Sequence, residues 1–513
     1  MALTPVDDAP DRFSPTKLWL LIGIGALIRF IFMGLMDLLP EEAYYWSYAQ
    51  HIDIGYLDHP PMVAWLIYVS QSILGKSEFA VRLPAFLGWF AMAFFMYRLA
   101  RNLFDKTAAT GVILLLAALP IYMSIGFLMT PDAPFYVMWA GCLFFLERAL
   151  LAGRGLAWVG VGVCLGLGLL SKYTIGLIVP ATIVFMIADK SSRRWFRKPQ
   201  PYLAAVIALV LFLPVIYWNH LHDWASFAFQ GSRRWWGEID FYFHVLIGSA
   251  LILITPLGVV GAVRGLMDCW KRWRTSAGQT AAHGQKHLFM LVFTVVPLMV
   301  FIIHSFRGQP KLNWTGPVWL AILPLVALYM RPPATGAPRH WARLSAGVWI
   351  RTAIVLLLLY AAGFGYIVGG MPGAPVLSGM PAPAAWQEFG SRVGQIAARL
   401  ELETGSQPVI VGFDEYATAS ELSFYYLGVG DLKPMVGSEN LVGGNGLMWN
   451  YWMTKEKAKD RHTLLVSFRR DKLDKTWVFW RFSKLTDISS EVLNTCNGKI
   501  GTFYWRVGYD YRY

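Results

Sequence analysis

Three short segments carry residues able to move protons or hold phosphate. They are Pro40-Glu41-Glu42-Ala43-Tyr44-Tyr45-Trp46, Gly55-Tyr56-Leu57-Asp58-His59-Pro60-Pro61 and Met129-Thr130-Pro131-Asp132-Ala133-Pro134. A carboxylate such as Glu41, Glu42 or Asp132 can take a proton from a hydroxyl or ligate a metal. The ordinary reading is a helix start, with proline in the first turn and acids against the helix dipole. Tyr44, Tyr45 and Tyr48 would then form an aromatic face at a membrane surface. Asp58 and His59, stiffened by two prolines, place a carboxylate beside an imidazole, a pair able to hold a cation or a phosphate. Lys172, in Leu170-Ser171-Lys172-Tyr173-Thr174, and Arg307 and Lys311, in Phe306–Trp314, add positive charge suited to a phosphate. Lys172 could equally be a lysine snorkelling to an interface. A divalent cation is the one cofactor this set admits, with Asp58 and His220 as candidate ligands. Neither GxGxxG nor a Walker loop occurs, so no nucleotide cofactor is expected.

The elements that must position these groups are membrane helices. Apolar residues make up 56% of the chain and charged ones 15%, below the roughly 25% charged of a soluble protein. Eleven apolar stretches read as spans, at about 17–36, 80–98, 108–125, 133–150, 156–170, 173–189, 201–218, 243–263, 287–304, 312–330 and 347–369. With residues 1–16 as a cytoplasmic tail, the inner loops hold 18 Lys and Arg and the outer loops six. That bias orients an inner-membrane protein with its N-terminus inside. The net charge of +13 is therefore a topology signal, concentrated in runs such as Lys190–Lys198, and needs no nucleic-acid partner. Loop 37–79, with Glu41, Glu42, Asp58 and His59, then lies outside, as do Asp132 and Lys172. The four cysteines lack metal spacing and imply no disulfide framework.

Residues 17–370 thus form an all-helical transmembrane domain, and residues 380–513 a small periplasmic α/β domain. A helical run at Trp386–Leu400, a strand at Pro408–Phe413, a helix near Glu415–Leu427 and a strand at Thr463–Phe468 alternate there. Gly369–Pro383 reads as the linker.

Glu41-Glu42-Ala-Tyr-Tyr-Trp and Gly55-Tyr-Leu-Asp58-His59-Pro-Pro resemble the first outer loop of bacterial glycosyltransferases related to protein O-mannosyltransferases, a group that includes the aminoarabinose transferases acting on lipid A. Thr130-Pro131-Asp132, Leu170-Ser-Lys172-Tyr173-Thr, Trp218-Asn219-His220 and Lys311-Leu-Asn313-Trp314 are similar to further signatures in the same order, over roughly residues 20–330. The resemblance implies a GT-C multi-span fold, a polyprenyl-phosphate-linked sugar as donor, and a lipid, glycan or protein acceptor at the outer leaflet. It implies a first-loop carboxylate as base at Glu41, with Glu42 second and Asp132 at the next acidic position. His59, Lys172, Arg307 and Lys311 would face the donor phosphate. Glu41 stands where the family usually has Asp, and His59 where the aminoarabinose enzymes have lysine. Eleven spans also contrast with their thirteen. The rival class is a transporter or lipid flippase, which would set its charges at the bilayer midplane within related halves. Here the acids sit at span ends and no half-to-half similarity is evident. An outer-face lipid phosphatase or a glycan polymerase would differ in product.

Overall fold

The computed structural model describes residues 15–235, 241–275, 281–330, 346–374, 383–427 and 434–513. Most of the expected cytoplasmic tail, most of the linker, Glu238, Asp240 and the side chains of Arg233 and Arg234 lie outside the described residues.

Helix α1 (Pro15–Phe32) leads into two helices of the first loop, α2 (Pro40–Gln50) and α3 (Met62–Leu74). The bundle continues with α4 (Glu78–Leu103), α5 (Lys106–Ala118), α6 (Pro120–Ile125), α7 (Asp132–Leu150), α8 (Ala157–Leu169), α9 (Ile178–Ala188) and α10 (Gln200–Leu221). It closes with α11 (Ala225–Trp235), α12 (Phe243–Thr275), α13 (Ala281–His304), α14 (Leu323–Leu328) and α15 (Ala346–Val368). Among the described residues six helices are long and apolar enough to cross a membrane: α4, α7, α10, α12, α13 from Gly284, and α15. This is a multi-pass membrane protein. All eleven stretches read as spans contain helix, but several are interrupted. Pro120 separates α5 from α6, and a 3₁₀ turn at Tyr173–Leu177 precedes α9. Another 3₁₀ turn at Gly316–Ala321 precedes α14. Helix α12 breaks at Thr255, whose φ of 65° is unusual for a β-branched residue and stands directly before Pro256.

The bundle core runs through α4, α5, α7, α8, α10, α12 and α13. Helices α8 and α10 approach closely because Gly162 faces Ala204, where an added Cβ would lie 2.6 Å from the Ala204 carbonyl oxygen. Small residues serve this purpose where lipid gives no hydrophobic drive to association.

The C-terminal domain has the expected alternation of α16 (Trp386–Thr404), β1 (Val409–Gly412), α17 (Ala417–Tyr425) and β3 (Thr463–Ser467), with a short strand β2 (Met435–Gly437), not read from the sequence, between α17 and β3. Strand β1 pairs in parallel with both β2 and β3. The sheet then gains strands not read from the sequence, β4 (Lys484–Leu485), β5 (Ser489–Thr495) and β6 (Gly498–Tyr509), with β6 antiparallel to β3, β4 and β5.

This domain is seated on α2 and α3, and the two share one hydrophobic cluster that joins Tyr44, Trp46 and Tyr48 to Trp386, Phe389, Phe424 and Trp449. The Tyr425 hydroxyl accepts from Leu38 N at 2.7 Å and donates to Glu78 at 3.0 Å. The Asp37 carboxylate accepts from Trp386 N and from the Gln387 side chain, at 3.1 and 2.9 Å. The reading of Tyr44, Tyr45 and Tyr48 as an interfacial aromatic face is therefore corrected. These rings are buried beneath the domain, with Tyr44 packed on Tyr416 and Tyr48 edge-on to Trp452.

Candidate functional site

The start of α2 sets two adjacent acids to different tasks. Glu42 is fully buried, with one carboxylate oxygen 2.6 Å from Arg82 Nη2 and the other 2.9 Å from Arg82 Nε. It also accepts from the backbone amides of Leu39 and Met129, each at 3.1 Å. Arg82 completes its own set on the carbonyls of Met33, Met36 and Asp37. The Arg82–Glu42 pair thus fastens the end of α1, the start of α2 and the Met129 loop onto α4. Glu41, one residue earlier, is exposed and lines a cavity of about 410 Å³.

Asp132, Lys172, His59, Lys311 and Asn313 line the same cavity. Asp132 opens α7, where the helix dipole favours an anion. Its carboxylate takes Lys172 Nζ at 2.7 Å on one oxygen and the Asn313 amide at 2.5 Å on the other. Lys172 is only 13% exposed and lies over the Phe135 ring. Lys311 is exposed, and His59 meets the edge of Tyr45. Arg307 is exposed and is not among the described residues lining this cavity.

Asp58 lies behind the cavity wall. Its carboxylate accepts from the Tyr44 hydroxyl at 3.0 Å and from the Tyr48 hydroxyl. Its backbone carbonyl accepts from the Gln230 amide. Burial pushes the Asp58 carboxyl up to about 6, while the two tyrosine hydroxyls and the Lys311 charge pull the other way. The loop that carries it is held by Trp218, whose indole donates to Asp53 at 3.0 Å. Gly55 makes that approach possible, since a Cβ there would fall 2.6 Å from the Trp218 side chain.

The expected metal pair is not assembled. Asp58 is engaged by tyrosines, and His220 is exposed beside Trp224. Among the described residues no three His, Cys, Asp or Glu side chains converge as a metal site. Among the described residues the donor set does not fit a resident cation.

Beside the polar cavity runs an apolar one of about 710 Å³, walled by α3, α4, α7 and the end of α8 through residues such as Met62, Leu66, Leu87, Val137 and Leu167. Pro134 and Ser171, close in the chain to Asp132 and Lys172, line it too.

Sequence reasoning did not single out Arg82, Tyr44, Tyr48 or Asn313 as partners of these acids. A lone arginine inside an apolar span was the available signal for Arg82, because such residues are costly in lipid and persist with a partner.

Residues 58–218 match the family model described as dolichyl-phosphate-mannose-protein mannosyltransferase. The lipid A galacturonosyltransferase RgtD of Rhizobium johnstonii is 26% identical over 313 residues, covering 58% of this chain and 62% of that protein. The undecaprenyl phosphate-alpha-4-amino-4-deoxy-L-arabinose arabinosyl transferase of Photorhabdus laumondii is 26% identical over 280 residues, covering 50% of this chain and 47% of that one. The matches thus span about half to three-fifths of the length of these relatives. ArnT from Cupriavidus metallidurans, solved in the apo state and bound to undecaprenyl phosphate, superposes with a TM-score of 0.64 at 14% identity, over 96% of this chain and 98% of that one. The fold is the GT-C fold of ArnT, C-terminal domain included.

Proposed function

We propose that this chain, with the GT-C fold and a segment matching the mannosyltransferase family, is a membrane glycosyltransferase. It moves a sugar from a polyprenyl-phosphate donor to a hydroxyl of an envelope acceptor, with Glu41 as the base. The observation that carries the reading is the division between neighbours: Glu42 is locked on Arg82, whereas Glu41 faces a cavity that also holds Lys172, Lys311 and His59. In the reaction Glu41 takes the acceptor hydroxyl proton as that oxygen bonds the anomeric carbon. The carbon–oxygen bond to phosphate breaks, and polyprenyl phosphate leaves with the electron pair. Lys311, Lys172 and His59 stabilise the departing phosphate charge, which is where positioned cations contribute most. Asp132 holds Lys172 in place, and Arg307 stands outside the cavity as a cation for the approaching anion. The apolar cavity beside Asp132 and Lys172 suits a prenyl chain. The donor arrives activated, so the chemistry requires no nucleotide.

The lysine and arginine bias supports a site on the periplasmic side of the inner membrane, with the N-terminus cytoplasmic and residues 380–513 extracytoplasmic. The similarity to RgtD, a protein named for lipid A, makes lipid A or a related glycolipid the leading acceptor class. Mass spectrometry of envelope glycolipids from cells carrying the wild type, Glu41→Gln or no protein tests the proposal. A sugar adduct present only with the wild type is expected. Full adduct with Glu41→Gln would remove Glu41 as base.

A further inference from the structure

A third cavity, of about 430 Å³, lies where the C-terminal domain meets the start of α2. Its floor is Leu39 and Pro40, and its other walls are supplied by residues 383–472 of the C-terminal domain. Leu39 also lines the cavity that holds Glu41, so the first turn of α2 is a partition with Glu41 at its edge.

The position within the domain is informative. Strand β1 is flanked by parallel partners on both sides, so the chain leaves β1 toward β2 and enters β3 on the opposite side. The crevice beyond the carboxyl ends of β1 and β3 is the point where connections diverge, and in open α/β sheets ligands settle there. Phe413 and Asp414 follow β1, and Phe468 and Arg469 follow β3; all four line the cavity.

The lining offers two kinds of surface. Trp386, Phe413 and Phe468 give aromatic and apolar area. Asp414, Ser467, Arg469 and Lys472 give hydrogen-bonding groups of both polarities. Lys472 donates to the Phe413 carbonyl at 3.0 Å and to Glu439 at 3.1 Å, while Arg469 pairs with Asp471. The positive charge is therefore largely balanced, and a bare anion is not the best match. Asp414 accepts from Thr418 N and Oγ1, which caps α17. The walls are fixed against the membrane domain, since Asp37 accepts from the backbone amide of Trp386. Alternating apolar and two-way hydrogen-bonding surface is what a pyranose presents, with its C–H faces and hydroxyl edges, and pockets use a few placed polar groups to orient such a ligand.

We infer that the crevice between β1, β3 and the start of α2 is a saccharide-binding subsite that holds the glycan portion of the acceptor and turns one hydroxyl toward Glu41. The inference rests on the glycosyltransferase reading and deepens it. The C-terminal domain thereby selects the acceptor, and the bundle handles the donor.

The test uses the full-length protein in lipid nanodiscs and a soluble probe, the glucosamine disaccharide of deacylated lipid A, with inorganic phosphate as the control ligand. Binding is read by saturation-transfer NMR on the sugar protons, and transfer is assayed separately. Lys472→Gln and Asp414→Asn, which keeps the α17 cap acceptor, should each weaken probe binding about tenfold, as loss of a hydrogen bond to a charged group predicts. They should raise acceptor KM while leaving donor KM unchanged. Unchanged probe binding in both variants overturns the subsite even if transfer proceeds, and so does equal displacement of the probe by inorganic phosphate. Probe binding that depends on these residues in a protein with no transferase activity supports the subsite and overturns the proposed reaction instead. Saccharide-dependent protection of the Trp386 peptide from hydrogen exchange gives a second readout if either variant folds poorly.

Discussion

Glu42 of α2 and Arg82 of α4 form an ion pair with both side chains fully buried, and its oxygens are filled from three separate segments. Such a pair adds little by existing, because desolvation offsets its attraction, but removing one partner strands a charge. Glu42→Ala should therefore destabilise the protein by about 3–5 kcal/mol. Glu42→Leu combined with Arg82→Met should recover much of that loss. Thermal unfolding in detergent checks both, and equal losses in the single and double variants would contradict the account.

Glu41 supplies the contrasting case. It is exposed to the cavity, so Glu41→Gln should leave the unfolding temperature nearly unchanged, as surface substitutions usually do within about 0.5 kcal/mol. Turnover should fall by about 10²–10⁴-fold, the usual contribution of a positioned base. Glu41→Asp, with a shorter side chain, should keep part of the activity. Initial rates with purified protein, taken beside the melting curves, separate this from the Glu42 effect.

Lys172 and Asp132 should behave as one unit. Lys172→Met leaves the Asp132 carboxylate with the Asn313 amide as its remaining side-chain partner among the described residues, in a site where it is 9% exposed. The double variant Lys172→Met, Asp132→Asn should cost less than the two single losses added together, with a coupling of about 1–3 kcal/mol. Donor KM and kcat for the four proteins complete the cycle. Strict additivity would mean that the pair does not act jointly.

Much of this architecture could be read ahead of the structure because its signals are local. Apolar runs gave the helices, and the strand–helix alternation after Trp386 gave β1, α17 and β3 within a few residues. The acids were visible as acids, yet their partners were not. Glu42 differs from Glu41 only through Arg82, 40 residues away, and Asp58 is taken by tyrosines that looked like membrane anchors. Arg307 carries the same charge as Lys311 four residues away, and only packing puts Lys311, and not Arg307, on the cavity wall. The antiparallel β5–β6 pair was missed because its exposed face is polar and its register contains a bulge between Leu493 and Asn494.

Glu421 lies on α17, which packs against α2. It is fully buried, and neither carboxyl oxygen has a hydrogen-bond partner in the described structure. Burial pushes its carboxyl well above the usual carboxylate range, with Asp37, Glu42 and Glu41 adding to the rise and Arg82 opposing it. Below that raised value the group is neutral in the folded protein, whereas it ionises near pH 4.3 once unfolded. The folded state then holds the extra proton, so stability is full below the unfolded value and declines as pH rises toward the folded one. The slope is about 1.4 kcal/mol per pH unit from this group alone. Glu421→Gln keeps the shape and removes the ionisable proton, so its profile should be flatter as pH rises above 5, and the variant should equal or exceed the wild type at the upper end. Melting curves across that range decide the matter: parallel wild-type and Glu421→Gln profiles would mean that Glu421 is charged, and paired, where the domain docks.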